Sequence, residues 1–352
     1  MTAPRTVLAV DGGNSKTDVA LVREDGTVLA TARGPAFLPQ SAGAAAAVEV
    51  IGRTVRRALA GDAATPPYAD HVAAYLAGAD LPVEEEVLRA ELLTRGYAAD
   101  VAVGNDTFAL LRAGSSTGWG VAVVCGAGIN AVGVSPAGRI ARFPALGRVS
   151  GDWGGGQHLG EEAFWHAVRA EDGRGPATVL TEVVRACLGT ATVEEAVIGL
   201  HVGDLPADRL HALVPPLLAA AADGDAVAGS LVERQAEEIA LLGVVAMRRL
   251  GLLAAPCEVV LGGGVLTARH PLLTSLIERR YAERAPLARL VIADVPPIVG
   301  AALLGLDRLG APPEAYARVR AHFLREDGGR EDGNSQPSAA SASGSFSITG
   351  ER

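Results

Sequence analysis

Lysine is nearly absent from this sequence, and clusters of basic residues are absent altogether. Lys16 is the only lysine, and arginine supplies the other permanent positive charges. The net charge is −9 at pH 7, which argues against binding to nucleic acid or to an anionic membrane surface. We therefore expect neither kind of partner, and a lysine kept inside a glycine-rich loop draws attention to that loop.

Cysteine is scarce as well, and no segment looks like a membrane span. Cys125, Cys187 and Cys257 are odd in number, far apart and in no C-x-x-C pair, which predicts reduced thiols in a cytoplasmic protein, without a disulfide or a cysteine metal site. The first residues lack the long apolar core of a signal peptide. The most apolar internal run, residues 240–255, contains two arginines and is too short to cross a bilayer.

Small apolar residues dominate what is present. Hydrophobic residues make up 49% of the 352 residues, but aromatic residues only 4%. A chain of this length can form two domains with large buried cores. Interiors built from alanine, valine, leucine and glycine suit closely packed α/β layers better than an aromatic-rich β-sandwich.

The hydrophobic pattern repeats itself along the chain. It predicts, in order, strands at residues 6–10, 19–22 and 27–32, a helix at 44–59, a strand at 71–77, a helix at 82–94 and a strand at 100–103. A second round of strand, glycine loop, strand, turn and strand covers residues 120–124, 131–134 and 140–143. This repetition predicts an internal duplication.

The remainder of the chain is mostly helical. Residues 160–255 are rich in alanine and leucine, and beyond them we predict strands at 258–261 and 290–293 and helices at 272–284 and 298–309. From residue 326 onward, glycine, serine and charged residues predict a flexible tail.

The first glycine-rich loop, DGGNSKTD, lies between two predicted strands. Gly12 and Gly13 allow backbone N–H groups to approach an anion closely. The loop adds neutral donors and one positive charge for phosphate oxygens from Asn14, Ser15, Thr17 and Lys16. Asp11 repels phosphate but suits Mg²⁺, bound through water. The alternative is an ordinary hairpin turn.

Two further glycine turns follow later strands. The second is Gly126-Ala127-Gly128, at the matching place in the repeat, and the third is Gly262-Gly263-Gly264, between a strand and a helix. Two equivalent loops can bind a polyphosphate from both sides. The third loop permits flat packing against adenosine. Each of these loops can also be a plain turn. None of them fits the P-loop or Rossmann patterns.

Together these motifs resemble the sugar kinase, actin and heat-shock chaperone superfamily. More narrowly, residues 5–310 resemble the branch that holds N-acetylglucosamine kinases and the BadF/BadG/BcrA/BcrD ATPases, through DGGNSKTD, CGAGIN, LGGGV and GNDTFALLRAG. The DWGGG segment is similar to that of actinobacterial glucosamine kinases. The resemblance implies an α/β fold of two duplicated actin-like (ribonuclease H-like) domains around a hinged cleft, formed by residues 1–114 with 298–325 and by residues 115–297 with a helical insertion.

The resemblance also implies roles for individual residues. Asp106, at the carboxyl end of a predicted strand, becomes the base that accepts the proton of a sugar hydroxyl, although Asn-Asp before a helix is also typical of an N-cap. The loops bind ATP, with Mg²⁺ held at Asp11. The residues expected to bind the sugar are Asn105, Asp106, Asn130, Asp152, Gln157 and Glu162. A carboxylate near Gln157 can pair with an unacetylated amine, or it can simply be a solvated helix turn.

The sequence departs from the family pattern in three places. Ala127 and Ile129 replace hydroxyl residues of the second loop, which leaves that loop with backbone donors alone. The sugar-contacting asparagine after the third strand has no clear match, and Gln40 is the nearest substitute. The cysteines that activator ATPases use for an iron–sulfur cluster are absent.

These observations predict a cytoplasmic ATP-dependent kinase that phosphorylates the 6-hydroxyl of glucosamine. An N-acetylglucosamine kinase, and an ATPase or sensor that phosphorylates no sugar, remain alternatives. The sequence leaves a homodimer open.

Overall fold

Two sheets with the same strand order form the framework of the molecule. The computed structural model describes residues 4–59, 64–293 and 295–331, with side chains to residue 325. Its first sheet contains β1 (Thr6–Gly12), β2 (Thr17–Arg23), β3 (Val28–Gly34), β4 (His71–Leu76) and β5 (Asp100–Asn105). Its second sheet contains β6 (Gly120–Cys125), β7 (Ile129–Val134), β8 (Ile140–Arg142), β9 (Cys257–Gly262) and β10 (Ala288–Ile292).

The two sheets match strand for strand. The first has the order β3-β2-β1-β4-β5 and the second the order β8-β7-β6-β9-β10. In each sheet the first three strands form an antiparallel meander and the last two run parallel to the first strand. The predicted α/β class and the internal duplication are therefore confirmed. The duplication also reaches the two parallel strands, which the sequence repeat did not reveal.

Helices cover the sheets and connect their strands. The first half contains α1 (Pro39–Ala42), α2 (Ala44–Ala58), α3 (Pro82–Thr94) and α4 (Asp106–Gly114). The second half contains α5 (Gly156–Glu171), α6 (Leu180–Leu188), α7 (Val193–Val202), α8 (Val214–Ala222), α9 (Ala226–Leu250), α10 (Gly264–Thr267) and α11 (Pro271–Arg284). Two more follow, α12 (Pro297–Leu309) and α13 (Pro313–Glu331), and short 3-10 helices occupy Gly147–Ser150 and Ala207–Leu213.

Helix α13 was not among the predicted elements. It begins with a proline in its first turn, and its buried side chains, Ala315, Val319 and Phe323, recur every four residues. It ends at Glu331, five residues beyond the predicted start of the tail at residue 326, where the glycine-rich composition had favoured a flexible segment. Residues 332–352 lie outside the described part of the chain.

Side-chain alternation along β1 decides where its last polar residue points. Leu8 and Val10 belong to the core with α2 and α3, whereas Val7 and Ala9 belong to the core with α12. Because strand residues alternate between faces, Asp11 lies on the same side as Val7 and Ala9. Strand alternation thus places this carboxylate on the α12 side of the first sheet, where it is buried and lines none of the cavities described below.

Two helices cross between the sheets and form the base of the cleft. Ala109 and Ala113 of α4 pack with α12, while Leu110 and Leu111 pack against the second sheet. A Cβ atom on Gly300 would collide with the carbonyl of Ala109, so the crossing depends on small residues. Helix α12 also packs on β1 and therefore returns to the first sheet.

Two further observations concern the state of the cysteines and the suitability of the helices for crossing a membrane. Cys125 and Cys257 are buried, Cys187 is half-buried, and all three are free thiols. Among the described residues, no helix combines the length and the apolar content that crossing a membrane requires.

Candidate active site

The first two glycine loops face each other across the cleft. Both are hairpin turns, β1–β2 and β6–β7, at equivalent places in the two sheets. Asn14 and Ser15 of the first loop, with Gly126 and Ala127 of the second, line two adjoining cavities of about 470 Å³ and 760 Å³. The loops therefore form the boundary at which the two cavities meet.

The second loop rests on the start of α5. The N–H groups of Gly156 and Gln157 donate to the carbonyls of Gly126 (2.7 Å) and Ala127 (3.0 Å). Gly155 has a φ of +83°, and a Cβ atom there would lie within 2.6 Å of Gly128. The glycines of DWGGG are therefore required by this close approach and by the backbone conformation.

The third loop lies on the second. Gly263 has a φ of +88°, and a Cβ atom on it would lie 2.7 Å from the nitrogen of Gly126. Gly264 lines the 760 Å³ cavity, and Gly262 and Gly263 line a separate cavity of about 540 Å³ that also contacts Lys16. All three predicted loops thus converge on the interdomain cleft.

Charged side chains are concentrated at the first loop. Lys16 Nζ lies 2.9 Å from Asp18, and Arg33 binds both oxygens of the same carboxylate, at 2.7 and 3.1 Å. Asp11 is paired with Asp18 across β1 and β2 and is only 7% exposed. Burial, and secondarily the charges of Asp106 and Asp18, raise the pKa of Asp11 to about 8, although Lys16 and Arg33 oppose the shift.

Thr17 has a different environment from its neighbours in the loop. It is fully buried, and its hydroxyl donates to the carbonyl of Pro35 at 2.7 Å. Strand alternation turns it away from the side on which Lys16 and Asp18 lie. It contributes no lining atoms to the cavities described here. Its hydroxyl therefore stabilises the hairpin rather than facing the cleft.

Asp106 is the first residue of α4, directly after β5. The helix cap is its neighbour Asn105, whose Oδ1 accepts hydrogen bonds from the Thr107 N–H (3.1 Å) and the Thr107 hydroxyl (2.5 Å). The Asn-Asp pair therefore does form the N-cap, through Asn105, while Asp106 is the first helical residue and lines the 470 Å³ cavity. Burial raises its pKa to about 6, while nearby backbone N–H groups lower it.

Asp80 is a site residue that the sequence analysis missed. It follows β4 and lines the same cavity as Asp106. Its Oδ1 accepts hydrogen bonds from the amides of Asn105 (2.8 Å) and Asn130 (3.3 Å). Burial, then the charges of Asp106 and Glu84, raise the pKa of Asp80 to about 7. Its position at the carboxyl end of a strand parallel to β5 was a usable signal.

An arginine from the second domain holds the turn that carries Asp80. Arg142, at the end of β8, donates to the carbonyls of Ala79 (3.3 Å) and Asp80 (3.1 Å) and to the carboxylate of Glu85 (2.8 Å). The guanidinium therefore joins the two domains beside the 470 Å³ cavity. A planar group with several donors suits this arrangement of three acceptors.

The remaining predicted sugar-binding residues occupy different places. Asn130 and Asp152 line the cavity, and Asp152 accepts a hydrogen bond from Ser150 at 2.6 Å. Gln157 lines both cavities, where its amide binds Glu161 (2.8 Å) and lies 3.0 Å from His211. Glu162 is not on the cavity wall; it lies 3.2 Å from His158 instead.

Gln40 is also engaged elsewhere. Its amide donates to the carbonyl of Gly78 at 3.2 Å and faces a neighbouring groove rather than the 470 Å³ cavity. The structure therefore gives it a role in supporting the turn before Asp80.

The larger cavity is mostly apolar. Its walls include Val214, Pro215 and Leu218 at α8 and Val265 next to the third loop. Asp208, His211 and His270 add polar groups at its edge. Apolar walls with a few polar groups suit a flat heterocyclic base, whereas the smaller, carboxylate-lined cavity suits a polyhydroxylated molecule.

The sequence matches the BadF/BadG/BcrA/BcrD ATPase family over residues 8–305. The chain belongs to this family. Among curated relatives, it is 26% identical to an N-acetyl-D-glucosamine kinase of Dictyostelium discoideum, with 85% of this chain and 97% of that protein covered. It is 24% identical to an N-acetylmuramic acid/N-acetylglucosamine kinase of Clostridium acetobutylicum, with 74% and 85% covered.

Solved structures of other proteins have the same architecture as this member of the BadF/BadG/BcrA/BcrD family. A candidate N-acetylglucosamine kinase from Chromobacterium violaceum superposes with a TM-score of 0.68 at 25% identity, covering 86% of this chain and 99% of that one. A ROK family glucokinase from Streptomyces griseus, solved with glucose and AMPPNP, gives a TM-score of 0.51 at 17% identity, covering 85% and 98%. The two-domain, actin-like fold predicted from the sequence is confirmed.

Proposed function

We propose that this chain transfers the γ-phosphoryl group of ATP to the 6-hydroxyl of a 2-amino sugar, with glucosamine as the leading acceptor. The observation that carries the proposal is the position of Asp106. Its carboxylate lies in a carboxylate-lined cavity that adjoins an apolar cavity at two facing glycine loops. The names of the curated relatives support an amino-sugar kinase.

Asp106 acts as the general base. With a pKa of about 6, it is ionised at neutral pH yet basic enough to accept the proton of a sugar hydroxyl as that oxygen attacks the γ-phosphorus. The proton moves from the hydroxyl to the carboxylate. The γ-phosphoryl group moves from ATP to the sugar oxygen as its bond to the β-phosphate oxygen breaks and ADP leaves. Phosphoryl transfer needs chiefly positioning and charge neutralisation, which the cleft supplies.

The glycine loops hold the phosphates, and the apolar cavity holds the nucleoside. The Gly13 N–H donates to the Lys16 carbonyl within the first loop. Asn14, Ser15 and Ala127 line both cavities, where their backbone N–H groups can donate to phosphate oxygens, and Lys16 adds a positive charge. Lys16 lies against Asp18, which keeps its ammonium group beside the loop.

Asp11 fits a role in holding Mg²⁺. It is a buried carboxylate with Asp106 and Asp18 near enough to raise its pKa, so a divalent cation would favour its ionised form. No group of three or more His, Cys, Asp or Glu side chains in the described ranges can hold a metal by itself. Asp11 would therefore hold an ion that keeps its waters, and Mg²⁺ bound there would supply charge neutralisation.

N-acetylglucosamine is the alternative acceptor, which the names of the relatives favour. An ATPase without sugar phosphorylation is supported by one observation only: Ala127 and Ile129 leave the second loop with no side-chain hydroxyl.

A coupled assay of ADP release distinguishes these functions. Purified protein with Mg·ATP is tested with glucosamine, N-acetylglucosamine, glucose and no sugar, and ³¹P spectra identify the ester formed. We expect ADP release that depends on an amino sugar and a product with phosphate on the 6-hydroxyl. Equal ADP release with and without sugar would reject the kinase in favour of the ATPase.

A further inference from the structure

The acceptor cavity has an excess of negative charge that general-base catalysis does not explain. Its walls include four carboxylates, from Asp80, Asp106, Asp152 and Glu161. The permanent cations on the same wall are Lys16, which pairs with Asp18, and Arg148, whose side chain is 76% exposed. A cavity with this balance favours a cationic occupant over a neutral one.

Three of the four carboxylates already have a hydrogen-bond partner or a proposed function. Glu161 accepts a hydrogen bond from Gln157, and Asp152 accepts one from the Ser150 hydroxyl. Asp106 is the proposed base. Asp80 is therefore the carboxylate whose purpose in the cavity is unexplained.

One oxygen of Asp80 is held and the other is available. The amides of Asn105 and Asn130 both donate to Oδ1. Within the described residues, Oδ2 has no hydrogen-bond partner and Asp80 forms no ion pair. Two amides from opposite domains thus orient the carboxylate while leaving one oxygen to accept a bond from a ligand.

The backbone of the turn keeps this carboxylate in place. Arg142 binds the Asp80 carbonyl from the second domain, and Glu84 accepts the Asp80 N–H at 3.0 Å. Both bonds are made to main-chain groups of Asp80 rather than to its side chain. Replacing the Asp80 side chain with its isosteric amide should therefore preserve the local structure. The proximity of Asp106, which helps to raise the pKa of Asp80, gives a further reason for a cation nearby.

We infer that Asp80 recognises the ammonium group of an unacetylated 2-amino sugar, and thereby selects glucosamine over its neutral analogues. The inference rests on the proposed function for the identity of the cavity. It adds a specificity-determining residue in the first domain that is distinct from the base. Glucose, which carries a hydroxyl in place of the amine, is the matched neutral ligand.

The test compares kcat/KM for glucosamine, glucose and N-acetylglucosamine in the wild type and in Asp80→Asn. We expect the variant to lose about 10- to 100-fold for glucosamine, the range of a charge-assisted hydrogen bond, and less than about 3-fold for the two neutral sugars. Glu86→Gln is the control, because it removes a carboxylate charge from the nearby helix α3, where the side chain is 71% exposed and does not line the cavity. It should change the ratio of glucosamine to glucose by less than about 3-fold.

Calorimetric titration of the same sugars separates this inference from the kinase proposal. If the wild type turns over no sugar but binds glucosamine more tightly than glucose, and Asp80→Asn abolishes that preference, the kinase proposal fails and the role of Asp80 stands. An equal loss for all three sugars, or no loss, would overturn the inference. So would a wild-type protein that binds glucosamine no better than glucose, a measurement that needs no variant to fold.

Discussion

The two halves of this protein share one topology but provide different chemistry to the cleft. Both sheets have the same strand order, and both place a glycine turn between the first two strands. The first turn is surrounded by charged side chains, among them Asp11, Lys16 and Asp18. The second turn, Gly126-Ala127-Gly128, has none of its own and packs against the start of α5.

In this protein, the two copies of the fold share their backbone geometry but differ in the side chains that they place at the cleft. The proposed catalytic carboxylate, the proposed metal ligand and the lysine all come from the first half. The second half contributes a shaped backbone surface and the apolar walls of the larger cavity. We therefore expect the first half to be sensitive to loss of charge, and the second to be sensitive to a Cβ atom added at Gly155 or Gly263.

The largest expected effect is in the first half. Asp106→Asn should lower kcat by about 10²- to 10⁴-fold, because the amide cannot accept the proton of the sugar hydroxyl. Affinity for ADP, measured by calorimetry, should change little. Asp100→Asn, at the other end of β5 and partly exposed, is the matched control and should keep full activity. A variant at Asp106 that retained its rate would remove the proposed base.

The next effect contrasts the two loops directly. Lys16→Met should lower kcat/KM for ATP by about 10- to 100-fold, the range of a hydrogen bond to a charged group. Ala127→Ser, which adds a side-chain donor to the second loop, should change kcat/KM by less than about 3-fold. Steady-state kinetics with varied ATP measures both. Similar losses in the two variants would show that the loops do not differ as described.

Substitutions that add a Cβ atom should destabilise the second half of the protein more than the first. Gly155 has a φ of +83° and lies against Gly128, so Gly155→Ala should lower the free energy of unfolding by about 1–3 kcal/mol and weaken ATP binding. Gly13 has no such φ, and a Cβ atom there would meet only the Lys16 carbonyl, at 3.3 Å. Gly13→Ala should therefore cost less than about 1 kcal/mol. Urea unfolding compares the two, and a greater loss in Gly13→Ala would contradict the account.

The smallest effect is a dependence of stability on pH. Because folding raises the pKa of Asp11 from 3.8 to about 8, the folded protein retains a proton that the unfolded chain has lost between these values. The stability due to that proton is complete below about pH 4 and disappears as the pH rises through 8. We expect the free energy of unfolding to fall by about 1–2 kcal/mol between pH 6 and pH 8.

The variant Asp11→Asn is the control for that pH dependence. It should flatten the stability profile between pH 6 and pH 8, while the wild type with Mg·ADP should also show a weaker slope. A separate titration concerns the rate: kcat/KM should fall below about pH 6, as Asp106 takes up a proton. An unchanged slope in Asp11→Asn would mean that another group titrates.

Local patterns were enough to predict much of the fold and to single out a carboxylate that lines the cleft. Alternating strands, turn residues and the glycine loops gave the meanders and the duplication, and the carboxyl end of β5 gave Asp106. Strand alternation could also have predicted the orientation of Thr17, because a residue between Lys16 and Asp18 must point to the opposite side of the sheet. Helical phase separates Glu161, on the cavity wall, from Glu162 in the same manner.

Contacts between the domains could not be predicted from the sequence. Arg142 and Asp80 are 62 residues apart, and their contact depends on how the two domains approach each other. The contact of Gly263 with the second loop has the same origin. Periodicity describes one element at a time, so the groups that meet only across the cleft appear in the structure alone.

The decisive experiment is a crystal structure with glucosamine, Mg²⁺ and a non-hydrolysable ATP analogue. We expect the triphosphate to lie between the first two loops and the sugar 6-oxygen to lie within about 2.6–3.2 Å of the Asp106 carboxylate. A nucleotide bound outside the two adjoining cavities, or a sugar 6-oxygen beyond reach of Asp106, would contradict the proposed function.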